Sequence, residues 1–144
     1  MNRRQKAILV KFVTVIVMTA LAVTAIAGLR DYVNRAEATR AMEHLSRIVQ
    51  KYRTDNGRIP PEPYIDSIKE QLHGYRRVGS LEYRARWIDI ESAPDAILAY
   101  ARRNYNSWLV GSGVIVLTLD GRVQWMSIQN FEQLMAAQHP EKLD

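Results

Sequence analysis

A run of 18 uncharged, mostly apolar residues at positions 12–29 is the feature that most limits what this chain can form. In a helix, roughly 20 apolar residues rising about 1.5 Å each cross the ~30 Å hydrocarbon core of a bilayer. The apolar residues 7–10 extend the run across Lys11. The sequence therefore predicts a transmembrane helix. Its large apolar anchoring side chains are Phe12, Val15, Ile16, Leu21, Ile26 and Leu29.

The excess of basic residues is concentrated before this run. Residues 1–29 contain four bases and no acid, whereas residues 30–144 contain 16 bases and 15 acids. The four bases are Arg3, Arg4, Lys6 and Lys11. Because basic residues mark the cytoplasmic side of a membrane helix, residues 1–11 are predicted to stay in the cytoplasm. The chain is then a single-pass protein of the inner (cytoplasmic) membrane with an extracytoplasmic domain. Since that domain is nearly neutral, nucleic acid is not predicted as a partner.

Two other structures are compatible with such an apolar segment. A buried core helix that is apolar on all sides needs a larger protein around it than 144 residues provide. A cleaved signal peptide is the second alternative, because Ala25-Ile26-Ala27 before Gly28 has the small-x-small form that a signal peptidase accepts. The run is, however, longer than the apolar region of about 7–15 residues that is usual in signal peptides.

The helical pattern continues beyond the membrane segment. Apolar residues recur at steps of mostly three and four from Leu29 to Tyr52, with charged residues between them. This spacing is typical of an amphipathic helix with one face to bury, so we predict one helix over about residues 7–54. Asp55-Asn56-Gly57 predicts its end, because Asn and Gly readily adopt positive φ. Prolines at positions 60, 61 and 63 are expected to prevent a new helix for several residues.

A short helix and two strands are predicted next, over residues 64–73, 81–87 and 96–101. In the first strand, every second residue is apolar and is expected to face the core: Leu81, Tyr83, Ala85 and Trp87. The residues between them are expected to form a solvated face: Glu82, Arg84 and Arg86.

A hairpin and a final helix complete the pattern. Two β-rich runs, residues 114–119 and 122–126, flank Asp120-Gly121, which is the strongest short-range hairpin signal. Ser127 is a predicted N-cap, with Met126 and Phe131 placed as a hydrophobic staple. The predicted fold class is α+β. A long N-terminal helix, transmembrane over residues 12–29 and then amphipathic, packs on a small antiparallel sheet with a short second helix and a C-terminal helix. The extracytoplasmic α+β domain is residues 30–144.

Both ends of the chain resemble the type IV pilin superfamily, in particular the major pseudopilin of type II secretion. The resemblance rests on the basic start, the apolar span, its unbroken amphipathic continuation and a Tyr-x-x-Asp-Asn-Gly-x-x-Pro stop. Here the stop consists of Tyr52, Asp55, Asn56, Gly57 and Pro60. Asp120-Gly121 and the following helix also resemble the end of prepilin-like proteins. The usual prepilin cleavage motif is lacking, because Lys11 precedes Phe12 where the family has Gly, and Ile16 stands where it has Glu.

The resemblance implies a pilin- or pseudopilin-like structural subunit of a secretion or pilus-type assembly. Its partners would be the lipid bilayer and further copies of itself or related pilin-like subunits. The alternative is a solitary single-span anchored domain that binds a protein or envelope ligand. For that alternative, Trp108 in the loop over residues 102–113 is the candidate contact, since loops often carry function. Trp87 and Trp125 are predicted to pack in the core, because both lie on strands.

No catalytic constellation is found, so neither an enzyme nor a small-molecule substrate is predicted. The chain has no cysteine, no metal-ligand spacing of histidines and no glycine-rich phosphate loop, so no cofactor is predicted. Calcium is the one alternative, through the carboxylate oxygens of Asp89, Glu91 and Asp95.

Overall fold

Helix α1 (Arg3–Asn56) is the spine of the structure, a computed structural model that describes residues 2–72, 74–104 and 111–138. Its 54 residues correspond to about 80 Å at 1.5 Å per residue, and the helix extends beyond the predicted residues 7–54 at both ends. It ends at Gly57, which has φ of 64° and donates its N–H to the Arg53 carbonyl at 2.8 Å. The Asn-Gly stop is therefore confirmed as a left-handed C-terminal cap.

Two short helices and a turn lead back along α1. Helix α2 (Glu62–Ile68) is followed by a 3-10 turn (Lys69–Gln71) and by helix α3 (Tyr75–Val78). The expectation that the prolines prevent a new helix was wrong. Helix α2 begins directly after Pro61, and Pro63 lies in its first turn, where a missing N–H removes no intrahelical bond. The predicted helix over residues 64–73 thus starts earlier and ends earlier, and His73 lies outside the described residues.

The four strands form one antiparallel sheet in the order β1-β2-β3-β4. Their bounds are β1 Leu81–Tyr83, β2 Ile97–Arg103, β3 Gly113–Thr118 and β4 Val123–Ser127. Helix α4 (Ile128–Gln138) follows β4 directly. As predicted, Ser127 caps α4, since its hydroxyl accepts the Asn130 N–H at 3.3 Å. The α+β class, with its long helix and small antiparallel sheet, is confirmed.

The sheet is covered on both faces. On one face, α1, α2 and α3 bury a cluster centred on Leu45, Val49 and Ile65 against Ile115 and Leu117. On the other face, α4 packs Phe131 against a second cluster. The sheet residues of that second cluster are Ile97, Tyr100, Val114 and Val116. Strands β2 and β3 are therefore apolar on both sides, which explains their continuous apolar runs.

The first strand is shorter than its alternation predicted. The Arg84 N–H still donates to the Leu98 carbonyl at 2.8 Å, but the chain then turns, and the Trp87 N–H returns to the Arg84 carbonyl at 3.0 Å. Trp87 is consequently 59% exposed, and its placement in the core was wrong. Arg84 does lie on the opposite face from Leu81 and Tyr83, but α4 covers that face, so Arg84 is only 8% exposed. Its predicted solvated position was also wrong.

Candidate functional site

The first half of α1 exposes large apolar side chains on every side of the helix. All six predicted anchor residues are between 53% and 68% exposed. They are Phe12, Val15, Ile16, Leu21, Ile26 and Leu29. In the most apolar 18-residue window only 6% of residues are buried, whereas a soluble core helix would be mostly buried. The described chain thus contains one helix, near its N-terminus, that is long and apolar enough to cross a membrane, and this fits a single-pass anchor.

The basic residues before the span belong to the same helix. Arg3, Arg4 and Lys6 lie in its first turns and are exposed, and Lys11 lies one residue before Phe12. A lysine at the end of an apolar segment can extend its ammonium group towards the headgroups. The membrane in question and the cytoplasmic location of this end stay predictions.

Four of the five residues of the stop motif have a local structural role, and Gly57 was described above as the cap of α1. The Asn56 side-chain amide donates to the Tyr52 carbonyl at 3.0 Å, and the Tyr52 ring lies 4.8 Å from the ring of Tyr64 on α2. Pro60 is buried, and its carbonyl accepts the Tyr83 hydroxyl at 2.8 Å. The motif therefore turns the chain and ties the end of α1 to α2 and β1. Asp55, the remaining member, is exposed.

The hairpin turn is held by polar side chains of α1. Ser46 donates to the Gly121 carbonyl at 2.7 Å, and Gln50 donates to the Leu119 carbonyl at 3.1 Å. Arg53 also donates to the Leu119 carbonyl. The predicted Asp120-Gly121 hairpin is confirmed, with one residue more in its loop than expected. The Gly121 N–H bonds the Thr118 carbonyl and the Thr118 N–H bonds the Arg122 carbonyl, so the loop is Leu119 to Gly121.

These contacts fix the direction of the head relative to the span. The turn between β3 and β4 lies beside Ser46 and Arg53, late in α1. The opposite end of the sheet lies beside the early part, where Arg35 stacks 4.5 Å over the Trp125 ring and Glu37 pairs with Arg77 of α3 at 3.2 Å. The start of β3 and the ends of β2 and β4 therefore point towards the apolar span.

A cavity of about 500 Å³ lies at the edge of the sheet beside Arg84. Burial lowers the pKa of the Arg84 guanidinium, which donates to the Ile97 carbonyl at 3.4 Å and to the Met135 sulfur at 3.1 Å. The Tyr100 hydroxyl donates to Glu82, and burial together with this carboxylate raises the pKa of Tyr100. The cavity therefore brings an arginine, a tyrosine and a glutamate together.

The residues predicted to contact ligands form no metal site within the part of the chain that the structure describes. Trp108 lies outside the described residues. Trp125 is partly buried against the core, as predicted. Within residues 2–72, 74–104 and 111–138, no three acidic or histidine side chains form a group that could hold a metal ion. The calcium hypothesis for Asp89, Glu91 and Asp95 thus gains no ligand cluster.

Comparisons of the chain with protein-family models, with curated proteins and with solved structures found no match.

Proposed function

We propose that this protein is a membrane-anchored structural subunit of the pilin or pseudopilin kind, held by the first half of α1 and displaying a small head domain. The observation that carries the proposal is the single uninterrupted helix Arg3–Asn56. Its first half exposes apolar side chains all round, and its second half supplies the core residues Ala38, Met42, Leu45 and Val49. One rigid element therefore joins the membrane segment to the head.

A rigid junction suits assembly better than simple tethering. A flexible linker would be enough to keep a binding domain near a membrane, whereas a continuous helix sets the height and orientation of every head in the same way. Subunits that pack their helices side by side then place their heads in a regular array. In lipid, helices associate through close packing at small residues, and Ala20, Thr24 and Gly28 recur at steps of four on one face of the span.

The anchor itself is tested by extraction and by the mature N-terminus. Alkaline carbonate washing of membranes from cells that make the full chain should leave it in the membrane fraction, and mass spectrometry should find residues 12–29 still attached. An N-terminus at Phe12 would add support for pilin-type processing. A mature chain that begins at Gly28 and washes off would overturn the anchor, because the span would then be a signal peptide.

Assembly is tested by cross-linking, which the absence of cysteine makes selective. Thr24→Cys places a thiol on the small-residue face, and Ile26→Cys places one about 200° around the helix as the matched control. Oxidation in the membrane should link Thr24→Cys chains into dimers more efficiently than Ile26→Cys chains. If both variants stay monomeric, the self-assembly proposal fails. A solitary anchored domain that binds an envelope ligand would then be the better function.

A further inference from the structure

The end of the head that points towards the span is strongly basic. Among the described residues, this end carries seven arginines and three acids, a net charge of +4. The arginines, which we call the proximal collar, are Arg30, Arg35, Arg40, Arg76, Arg77, Arg102 and Arg103. The acids are Asp31, Glu37 and Glu70. The other charged residues that the structure describes between positions 30 and 138 are eight bases and ten acids, a net charge of −2. A nearly neutral domain is thus divided into a basic end and an acidic remainder.

The fold brings these arginines together from three separate segments. Arg30, Arg35 and Arg40 follow the span on α1. Arg76 and Arg77 lie on α3, which is held beside Glu37 by the Arg77–Glu37 pair. Arg102 and Arg103 lie at the end of β2. Arg103 is paired with Gly113 of β3, and the Arg102 guanidinium lies 5.5 Å from the centre of the Phe131 ring.

Most of the collar is available to an outside anion. Arg30, Arg40, Arg76, Arg77 and Arg102 are exposed. Arg40, Arg76 and Arg77 line one open cavity of about 530 Å³, together with Glu37 and Glu70. The Nε of Arg103 is buried and has no hydrogen-bond partner among the described residues. That nitrogen is not accessible to an outside anion, but the exposed guanidinium groups of the collar are, and a guanidinium binds phosphate oxygens particularly well.

The collar begins at the height of the lipid headgroups, where Arg30 directly follows Leu29, and it extends some ångströms above them. Arg35 and Arg40 are about 9 and 16 Å beyond Leu29 along the helix axis. The headgroup layer extends roughly 5–8 Å beyond the hydrocarbon core. Tyr32 and Val33 are exposed apolar side chains that continue the span, and an aromatic residue of this kind is favoured at the interface. Val33 is about 6 Å beyond Leu29, within the headgroup layer, and the level of Glu37 and Arg77 is about 6 Å further from the hydrocarbon core.

We propose that the proximal collar binds the phosphate groups of anionic phospholipids, so that the head sits on the membrane surface. The inference rests on the membrane anchor of the proposed function and does not depend on self-assembly. Basic clusters next to a membrane helix are attracted to anionic leaflets, and the attraction weakens with salt. Contact at α3 and at the end of β2, which lie to one side of α1, would also fix the tilt of the head.

The test measures the distance between the head and the lipid headgroups in the full chain. A single thiol from Ser80→Cys, exposed at the basic end, carries a donor dye. The chain is reconstituted into nanodiscs that contain an acceptor dye on a lipid headgroup. Energy transfer should be greater in discs of phosphatidylcholine plus phosphatidylglycerol than in discs of phosphatidylcholine alone. The increase should disappear at about 1 M salt, where charges are screened beyond about 3 Å. Ala93→Cys, at the opposite end of the head, should show weaker transfer.

Matched variants then identify the charges responsible. Arg76→Gln with Arg102→Gln halves the net charge of this end of the head, from +4 to +2, and should remove about half of the lipid-dependent increase. Arg58→Gln with Arg86→Gln makes the same charge change among exposed arginines at the far end and should leave the increase intact. Equal transfer in both disc types, or equal losses in the two double variants, would overturn the proposal. A chain that does not co-elute with the discs would instead overturn the anchor itself.

Discussion

Replacing Gly121 by alanine tests how the hairpin turn is held against α1. Gly121 has φ of 90°, and a Cβ there would lie 2.9 Å from Gln50 Nε2 and 3.2 Å from Ser46 Oγ. A residue with a Cβ costs roughly 1–2 kcal/mol in the left-handed region. Displacing Gln50 removes its bond to the Leu119 carbonyl, which contributes about 0.5–1.5 kcal/mol. We therefore expect Gly121→Ala to lower the free energy of unfolding by about 2–3 kcal/mol.

Gly57 provides the matched control for the backbone cost. It also has a positive φ, 64°, but a Cβ there would meet no atom within 4 Å. Gly57→Ala should therefore cost only about 1–2 kcal/mol. In a Gln50→Ala background the closer contact is lost and only Ser46 Oγ, at 3.2 Å, remains, so adding Gly121→Ala should cost less than it does in the natural background. The difference between the two backgrounds isolates the steric contact.

The measurement is urea unfolding of the full chain in detergent micelles, followed by tryptophan fluorescence. Trp87 and Trp125 both lie in the head, so the signal follows the head rather than the membrane segment. The reasoning is refuted if Gly121→Ala and Gly57→Ala cost the same in the natural background. It is also refuted if the Gln50→Ala background leaves the cost of Gly121→Ala unchanged.

Three further predictions concern the core and its buried polar groups. Leu45 is fully buried, so Leu45→Ala should cost about 2–5 kcal/mol in the same unfolding assay, whereas Arg47→Ala at the exposed neighbouring position should stay within about 0.5 kcal/mol. Burial raises the pKa of Tyr83 above the value of about 10 that tyrosine has in an unfolded chain. The neutral Tyr83 side chain therefore contributes fully to stability below pH ~10, and this contribution is lost as the pH rises further. Tyr83→Phe should therefore flatten the alkaline fall of the urea midpoint, and an unchanged pH profile would contradict this. Arg84→Met replaces a buried cation by an apolar side chain beside Met135 and should therefore maintain or raise Tm. A clear fall in Tm would contradict this and would show that the guanidinium stabilises the sheet.

The sequence predicted the elements whose signals are local. The span can be placed without any periodicity, because 18 uncharged and mostly apolar residues at positions 12–29 already require an apolar environment. The end of α1 at Gly57 and the hairpin at Asp120-Gly121 were also predictable, because a positive φ is a property of the residue itself. The length of the hairpin loop was not predictable. A two-residue type I′ turn needs a positive φ at both residues, but Asp120 keeps a negative φ, so a three-residue loop forms instead.

The positions of Arg84 and Trp87 depended on tertiary structure. The alternation correctly predicted that Arg84 lies on the opposite face of the sheet from Leu81 and Tyr83. Strand β1 ends at Tyr83, however, so Trp87 does not belong to it. Helix α4 covers the face on which Arg84 lies. Whether a second face of a sheet is solvated depends on an element that lies some 50 residues later in the chain. Burial on that face could not follow from the strand's own sequence.

The basic end of the head is the clearest case of a property that only the fold decides. By sequence, the domain is close to neutral and its arginine pairs at 76–77 and 102–103 are far apart. The antiparallel register places the end of β2 beside the start of β3, and the return of the chain through α2 places α3 beside Glu37. Local patterns therefore determined that the chain has a membrane-length helix and a small α+β head. Tertiary packing determined which charges lie at the end of the head nearest the apolar span, because that end is built from segments that are far apart in the sequence.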